Sequence, residues 1–198
     1  MDIIAQTFGQ LKSKPLTKKE MQSPDLKEEK HIELKGKENA ELVMAYRFDG
    51  LRADDNVYIE LIDRMLNNGY TGLLDLNLTN KQKVQEVYSY PWTNTDYSTL
   101  IVGAYPKENQ SLDSLERLIK TQIKLLKAGA YDDWLPEACL NDILKENLES
   151  ATTNSFLANE MLYAGIHSYK LSDFVKRYQN HKGIKKGEIQ EFVKSRPF

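Results

Sequence analysis

The chain has 198 residues, of which 40% are apolar and 28% charged, and its 27 Lys+Arg against 29 Asp+Glu leave a net charge of -2. That length suits one ordinary domain with a buried core, and the composition is that of a folded chain rather than a disordered or collagenous one. The balance of charge excludes a basic field for nucleic acid, and no window approaches the roughly 18 continuous apolar residues of a membrane helix. Met1 to Gln10 lacks the basic-then-apolar order of a signal peptide. Cys139 is the only cysteine, which excludes an intrachain disulfide and a cysteine zinc ribbon and leaves both periplasm and cytoplasm open.

Ile3, Ile4, Phe8 and Leu11 form a short apolar pattern, and Lys12 to Lys30 offers almost nothing to bury. Residues 1–30 are therefore expected to be a helix end and an exposed linker, excised with the chain from something longer, and residues 31–198 a single domain. Period-two alternation in Leu42, Met44, Tyr46 and Phe48, after a turn at Gly36 to Asn39, predicts a first β-hairpin over His31 to Phe48. Asp54 or Asp55 then caps a helix with Tyr58, Leu61, Ile62, Met65 and Leu66 on one face, ending at Gly69. Thr71 to Thr79 fits one or two further helical turns. A second hairpin joins Val84 to Tyr90 with Tyr97 to Tyr105 around Pro91 to Asn94.

Ser111 caps a helix carrying the stripe Leu112, Leu115, Leu118, Ile119, Ile123 and Leu126 before Gly129. Pro136 opens another that runs through Glu149. Helical segments near Ser155 to Tyr163, Leu171 to Tyr178 and Glu188 to Val193 complete the chain. The expected fold class is α+β: a mostly antiparallel sheet of two hairpins, helices on one face, and a helical C-terminal half.

A catalytic zinc needs three converging ligands, usually two on adjacent turns of one helix as in H-x-x-E-H. His31, His167 and His181 have no such spacing, so no metal ligand is assigned. There is no G-x-S-x-G elbow, and Cys139 falls on a partly buried helix face, so no catalytic residue is assigned either. Asp132, Asp133 and Glu137 sit where a helix dipole favours acids, and Asp75, amid leucines, is read as a cap or a solvent-facing acid. Gly69 and Gly72 lack the rest of a phosphate-binding loop. Tyr88, Tyr90, Trp92, Tyr97 and Tyr105 have no basic surround, so packing rather than base stacking is expected of them.

The run Glu41-Leu42-Val43-Met44-Ala45-Tyr46-Arg47-Phe48, the helix with Leu61-Ile62-Asp63-Arg64-Met65-Leu66, and Gly72 to Leu78 resemble, in that order, the second domain of insulinase/pitrilysin-type zinc peptidases. Lys81 to Val84, Asp96-Tyr97-Ser98, Pro106 to Leu112 and the helical tail continue the similarity, and bacterial multi-domain members are the most similar. The resemblance implies a non-catalytic domain of a zinc metalloendopeptidase, part of a substrate chamber, inactive alone, with zinc held by another domain. The implied partners are the parent's other domains and a peptide substrate, and a homodimer stays open. Active members hold substrate with an Arg and a Tyr in the segment equivalent to Leu74 to Tyr88. Tyr88 matches the Tyr but no Arg is present, a departure that points away from direct substrate holding and toward a domain beside the catalytic one in the same half; Tyr88, Trp92 and Tyr97 are the candidate substrate or interdomain contacts. The rival reading is a self-standing inactive assembly module of the same fold.

Overall fold

The computed structural model describes the chain except for residues 1, 13, 16–25, 27, 51–54, 95, 168, 171, 173–175, 177–182 and 197–198. The chain divides into two compact units, Met1–Leu34 and Lys35–Phe198. In the first, helix α1 (Asp2–Phe8) buries none of its residues. Much of the expected linker, and most of the segment Leu171 to Tyr178, lies outside the described residues.

The second unit is built on strands β1 (Leu42–Asp49), β2 (Glu86–Thr93) and β3 (Tyr97–Tyr105), in the spatial order β1-β3-β2 and antiparallel throughout. The α+β class holds, with one hairpin where the sequence predicts two. Residues 31–40 contain no strand, and β1 pairs instead with β3, Leu42 opposite Ala104 and Phe48 opposite Ser98. Burial accounts for the difference. Ile32 and Leu34 are 76% and 87% exposed, whereas pairing with β3 aligns Leu42, Met44, Tyr46 and Phe48 with Leu100, Val102 and Ala104 on the face that meets the core.

Helix α2 (Asp55–Leu66) lies under that face. It packs against β2, β3, helix α4 (Leu135–Ser150) and helix α6 (Lys186–Ser195), which is why Val57, Ile59, Leu61, Ile62, Met65 and Leu66 are all buried rather than a single stripe. Helix α3 (Leu112–Ala128) shows the predicted limits: the Ser111 side chain accepts from the Ser114 N–H, and Gly129 takes φ 65°, where a side chain would be strained. Leu115, Ile119, Ile123 and Leu126 form its buried stripe. Helix α5 (Asn154–His167) buries no residue.

Phe192 of α6 stacks between Tyr58 of α2, at 4.8 Å between centroids, and Phe48 of β1, at 6.1 Å. Arg196 covers the same ring at 5.5 Å and reaches Asp55 at 2.5 Å, in the first turn of α2. This junction ties the C-terminal helix to the sheet and to α2, a long-range link that no local pattern announces.

The stretch after α2 is the short π-helical turn Asp75–Thr79, where the sequence suggests ordinary helical turns. Asp75 is buried, and its carboxylate accepts from the Asn68 N–H at 2.8 Å, the Gly69 N–H at 3.0 Å and Asn67 Nδ2 at 3.0 Å. The Asn68 side-chain oxygen in turn accepts from the N–H groups of Tyr70, Thr71 and Gly72. Asp75 is thus neither solvent-facing nor a helix cap: its buried carboxylate closes the turn after α2 by accepting from the N–H groups there.

Candidate functional site on the outer sheet face

Because the helices pack against one face of the sheet, the residues of opposite pleat form an outer face. On it stand Val43, Tyr90, Trp92 and Tyr97, 53%, 45%, 60% and 40% exposed, around the buried Ile101 and Gly103 of the central strand. The three aromatics singled out from sequence, Tyr88, Trp92 and Tyr97, share this face but do not form one cluster. Tyr88 lies opposite Gly103, and its ring fills the space where a side chain on that glycine would stand. Tyr97 lies at the other end, with the Arg47 guanidinium 5.8 Å from its ring centroid. Trp92 sits between them, opposite Thr99.

Pro91 and Trp92 belong to β2 and not to the turn that the sequence predicts for them. The Asn94 N–H donates to the Tyr97 carbonyl at 3.2 Å. That bond sets the alternation, so that the backbone groups of Tyr88, Tyr90 and Trp92 turn toward β3, and those of Val87, Ser89, Pro91 and Thr93 turn to the outer edge. A proline is accommodated there because its missing N–H leaves no ladder bond unmade.

The Gly103 end of the face holds a group that sequence reasoning missed. The Tyr88 hydroxyl donates to the Glu41 carboxylate at 2.5 Å, and Tyr105 stands on the same side of the groove. Burial, then Glu41, holds the Tyr88 phenol well above its ordinary value, and Glu41 raises that of Tyr105. The Tyr88 ring stacks on Tyr90 at 6.0 Å and tilts against Tyr105 at 6.3 Å. Glu38, Glu41, Glu86, Tyr88 and Tyr105 line a groove of about 530 Å³. The only trace in the sequence is that Tyr88 and Gly103 become opposite once the second hairpin is registered, and nothing local brings Glu41 to them.

A second groove, about 430 Å³, runs between α2 and α4 past Arg64, Asn68 and Cys139. Its arginine already pairs with Glu146 and, at 3.8 Å, with Asp142. Burial pushes the Cys139 thiol up to about 11, so the nucleophilic thiolate is scarce at neutral pH. His31 lies exposed in an irregular segment, His167 stacks on Tyr163 at 5.9 Å in the last turn of α5, and His181 falls outside the described residues. Among the described residues no three of His, Cys, Asp and Glu come close enough to hold a metal ion, and no helix is long and apolar enough to cross a membrane.

Among the described acids Asp63 is the most perturbed. It sits on the buried side of α2, accepts from the Ser89 hydroxyl of β2 at 2.5 Å, and burial raises its pKa to about 6. An acid whose folded pKa exceeds its unfolded value of 3.8 favours folding most when both states are protonated, and that advantage is lost as pH rises through about 6. Asp63→Asn, which keeps an acceptor for Ser89, is expected to match the parent chain at pH 3.5. At pH 8 it should be more stable by about 2–3 kcal/mol in urea unfolding. Equal stabilities at pH 8 would show that the carboxylate is solvated.

Solved structures share the fold at low identity. A protease from Helicobacter pylori superposes with a TM-score of 0.72 at 15% identity over 79% of this chain and 38% of its own. An inactive peptidase domain from Bordetella parapertussis gives 0.69 at 16% identity over 82% of this chain and 87% of its own. A peptidase M16 inactive domain from Pseudomonas fluorescens gives 0.65 at 15% identity, over 80% of this chain and 37% of its own. The chain therefore spans well under half the length of the Helicobacter and Pseudomonas chains. No curated protein matches it. Residues 1–143 match the sequence profile described as the Peptidase M16 inactive domain, in agreement with the insulinase/pitrilysin resemblance, and the chain belongs to that family, the non-catalytic domains of zinc metallopeptidases.

Proposed function

We propose that this domain is a structural wall of a zinc metalloendopeptidase: it supplies no zinc ligand and uses its outer sheet face to pack against the parent's other domains and to border the peptide-binding chamber. The observation that carries this reading is the exposure of Val43, Tyr90, Trp92 and Tyr97 on one sheet face, away from the face on which the described helices pack. An apolar face of that kind is a surface for another polypeptide. Tyr88, Trp92 and Tyr97 are its contact residues, and Tyr88 is held in place by Glu41 before any contact forms. Zinc, bound by a catalytic domain, would supply the activated water for peptide hydrolysis.

The pure chain incubated with zinc and unfolded peptides is expected to show no metal-dependent cleavage, and turnover that a chelator abolishes would overturn the non-catalytic role. In the full-length peptidase, Trp92→Asp is expected to lower peptide hydrolysis at least tenfold, by placing a charge in a packed contact that has no partner for it. Unchanged hydrolysis there would remove the outer face from the working assembly and favour a self-standing module.

A further inference from the structure

The outer face also carries a charge pattern that specifies what lies on it. At the Gly103 end the groove is lined by three carboxylates, Glu38, Glu41 and Glu86, with Tyr88 and Tyr105, and no Lys, Arg or His is among its lining residues. Glu41 is oriented by the Tyr88 hydroxyl, which holds its carboxylate in place before a ligand arrives. The two tyrosine rings beside it offer π-faces to a cation. From this end the face continues along β2 through Tyr90 to Trp92, with Val43 on the far side of the central strand, across Gly103 from Tyr88.

We infer that the outer sheet face binds a segment of a neighbouring polypeptide whose lysine or arginine enters the Glu41–Tyr88–Tyr105 groove while its apolar side chains cover Tyr90, Trp92 and Val43. Charge complementarity selects this occupant: an acidic segment would meet three carboxylates, and a purely apolar one would leave Glu41 covered and unpaired. The strand spacing sets the length, since Gly103 and Thr99, opposite Tyr88 and Trp92, are four residues apart. That distance, about 13 Å, is spanned by about five residues of extended chain. The inference rests on the packing role proposed above and names the chemistry of its partner.

The test uses the whole chain in a Trp134→Phe background, so that Trp92 is the remaining indole. Two decapeptides are titrated against its fluorescence: one with a Lys-Arg pair followed by alternating Val, Leu and Thr, the other identical but with Glu-Asp in place of Lys-Arg. The basic peptide is expected to give a saturable change, weakened at least fivefold by Glu41→Gln and again by raising salt from 0.1 to 0.5 M. Glu41 is exposed, and its replacement should leave the circular dichroism spectrum unchanged. Equal binding of the acidic peptide, no response to either peptide, or a change that follows protein concentration alone through self-association would each overturn the inference. Cleavage of the peptide by the pure chain would instead overturn the non-catalytic role and leave the binding result standing.

Discussion

Phe192→Ala is expected to destabilise the fold by about 3–5 kcal/mol, because the ring is 8% exposed and is clamped between Tyr58 and Phe48. Truncation opens a void between α6, α2 and β1 and removes two aromatic contacts beyond the burial itself. It also withdraws the ring on which Arg196 rests, and with it the seat that places the guanidinium on Asp55. With a urea slope of about 2 kcal/mol/M for a chain of this size, the midpoint should fall by about 2 M. A loss below about 1 kcal/mol would mean that α6 is not docked on the sheet as described.

The second large effect is expected at Asp75. Its carboxylate accepts from two backbone N–H groups and one side-chain amide, and it is 4% exposed, so Asp75→Ala leaves partly buried donors without acceptors. Hydrogen bonds to a charged acceptor are worth about 1.5–3 kcal/mol each, and part of that is recovered as water enters the opened loop. A net cost of about 3 kcal/mol corresponds to a fall in Tm of about 6–12 °C. Asp75→Asn should recover little, because its amide end would point donors at donors. Full recovery by asparagine would show that the loop tolerates a neutral acceptor and that the three bonds are not made together.

How much of this was legible in advance follows the range of the interactions. Helix α3 was read to both ends because its signals are local: Ser111 before the stripe and Gly129 after it. The β2–β3 hairpin is equally clear in outline, yet its local pattern puts Pro91 in the turn. Only the strand order shows that β2 is an outer strand, where a residue without an N–H is harmless. The first hairpin failed for the same reason from the other side. The alternation in Leu42 to Phe48 marks a strand but does not name its partner, and the partner proved to be β3, more than fifty residues on, rather than the adjacent polar stretch. Tyr88, Trp92 and Tyr97 were marked by aromatic content alone; that Glu41, Glu86 and Tyr105 gather round one of them depends on the register of three strands at once. Asp63 gave no signal, since an acid at an apolar helical position reads as a solvent-facing residue until a neighbour such as Ser89 is in place.

The proline in β2 bears finally on how copies of this domain would associate. The two flanks of the sheet differ: β2 contains an imide that donates nothing at its outer edge, while β1 contains no proline. Two copies pairing flank to flank would meet through β1, and the ribbon so formed would expose only β2 at either side. Pro91 makes β2 a poor template for adding a further strand, so overproduction of the isolated domain is expected to yield paired particles rather than cross-β deposits.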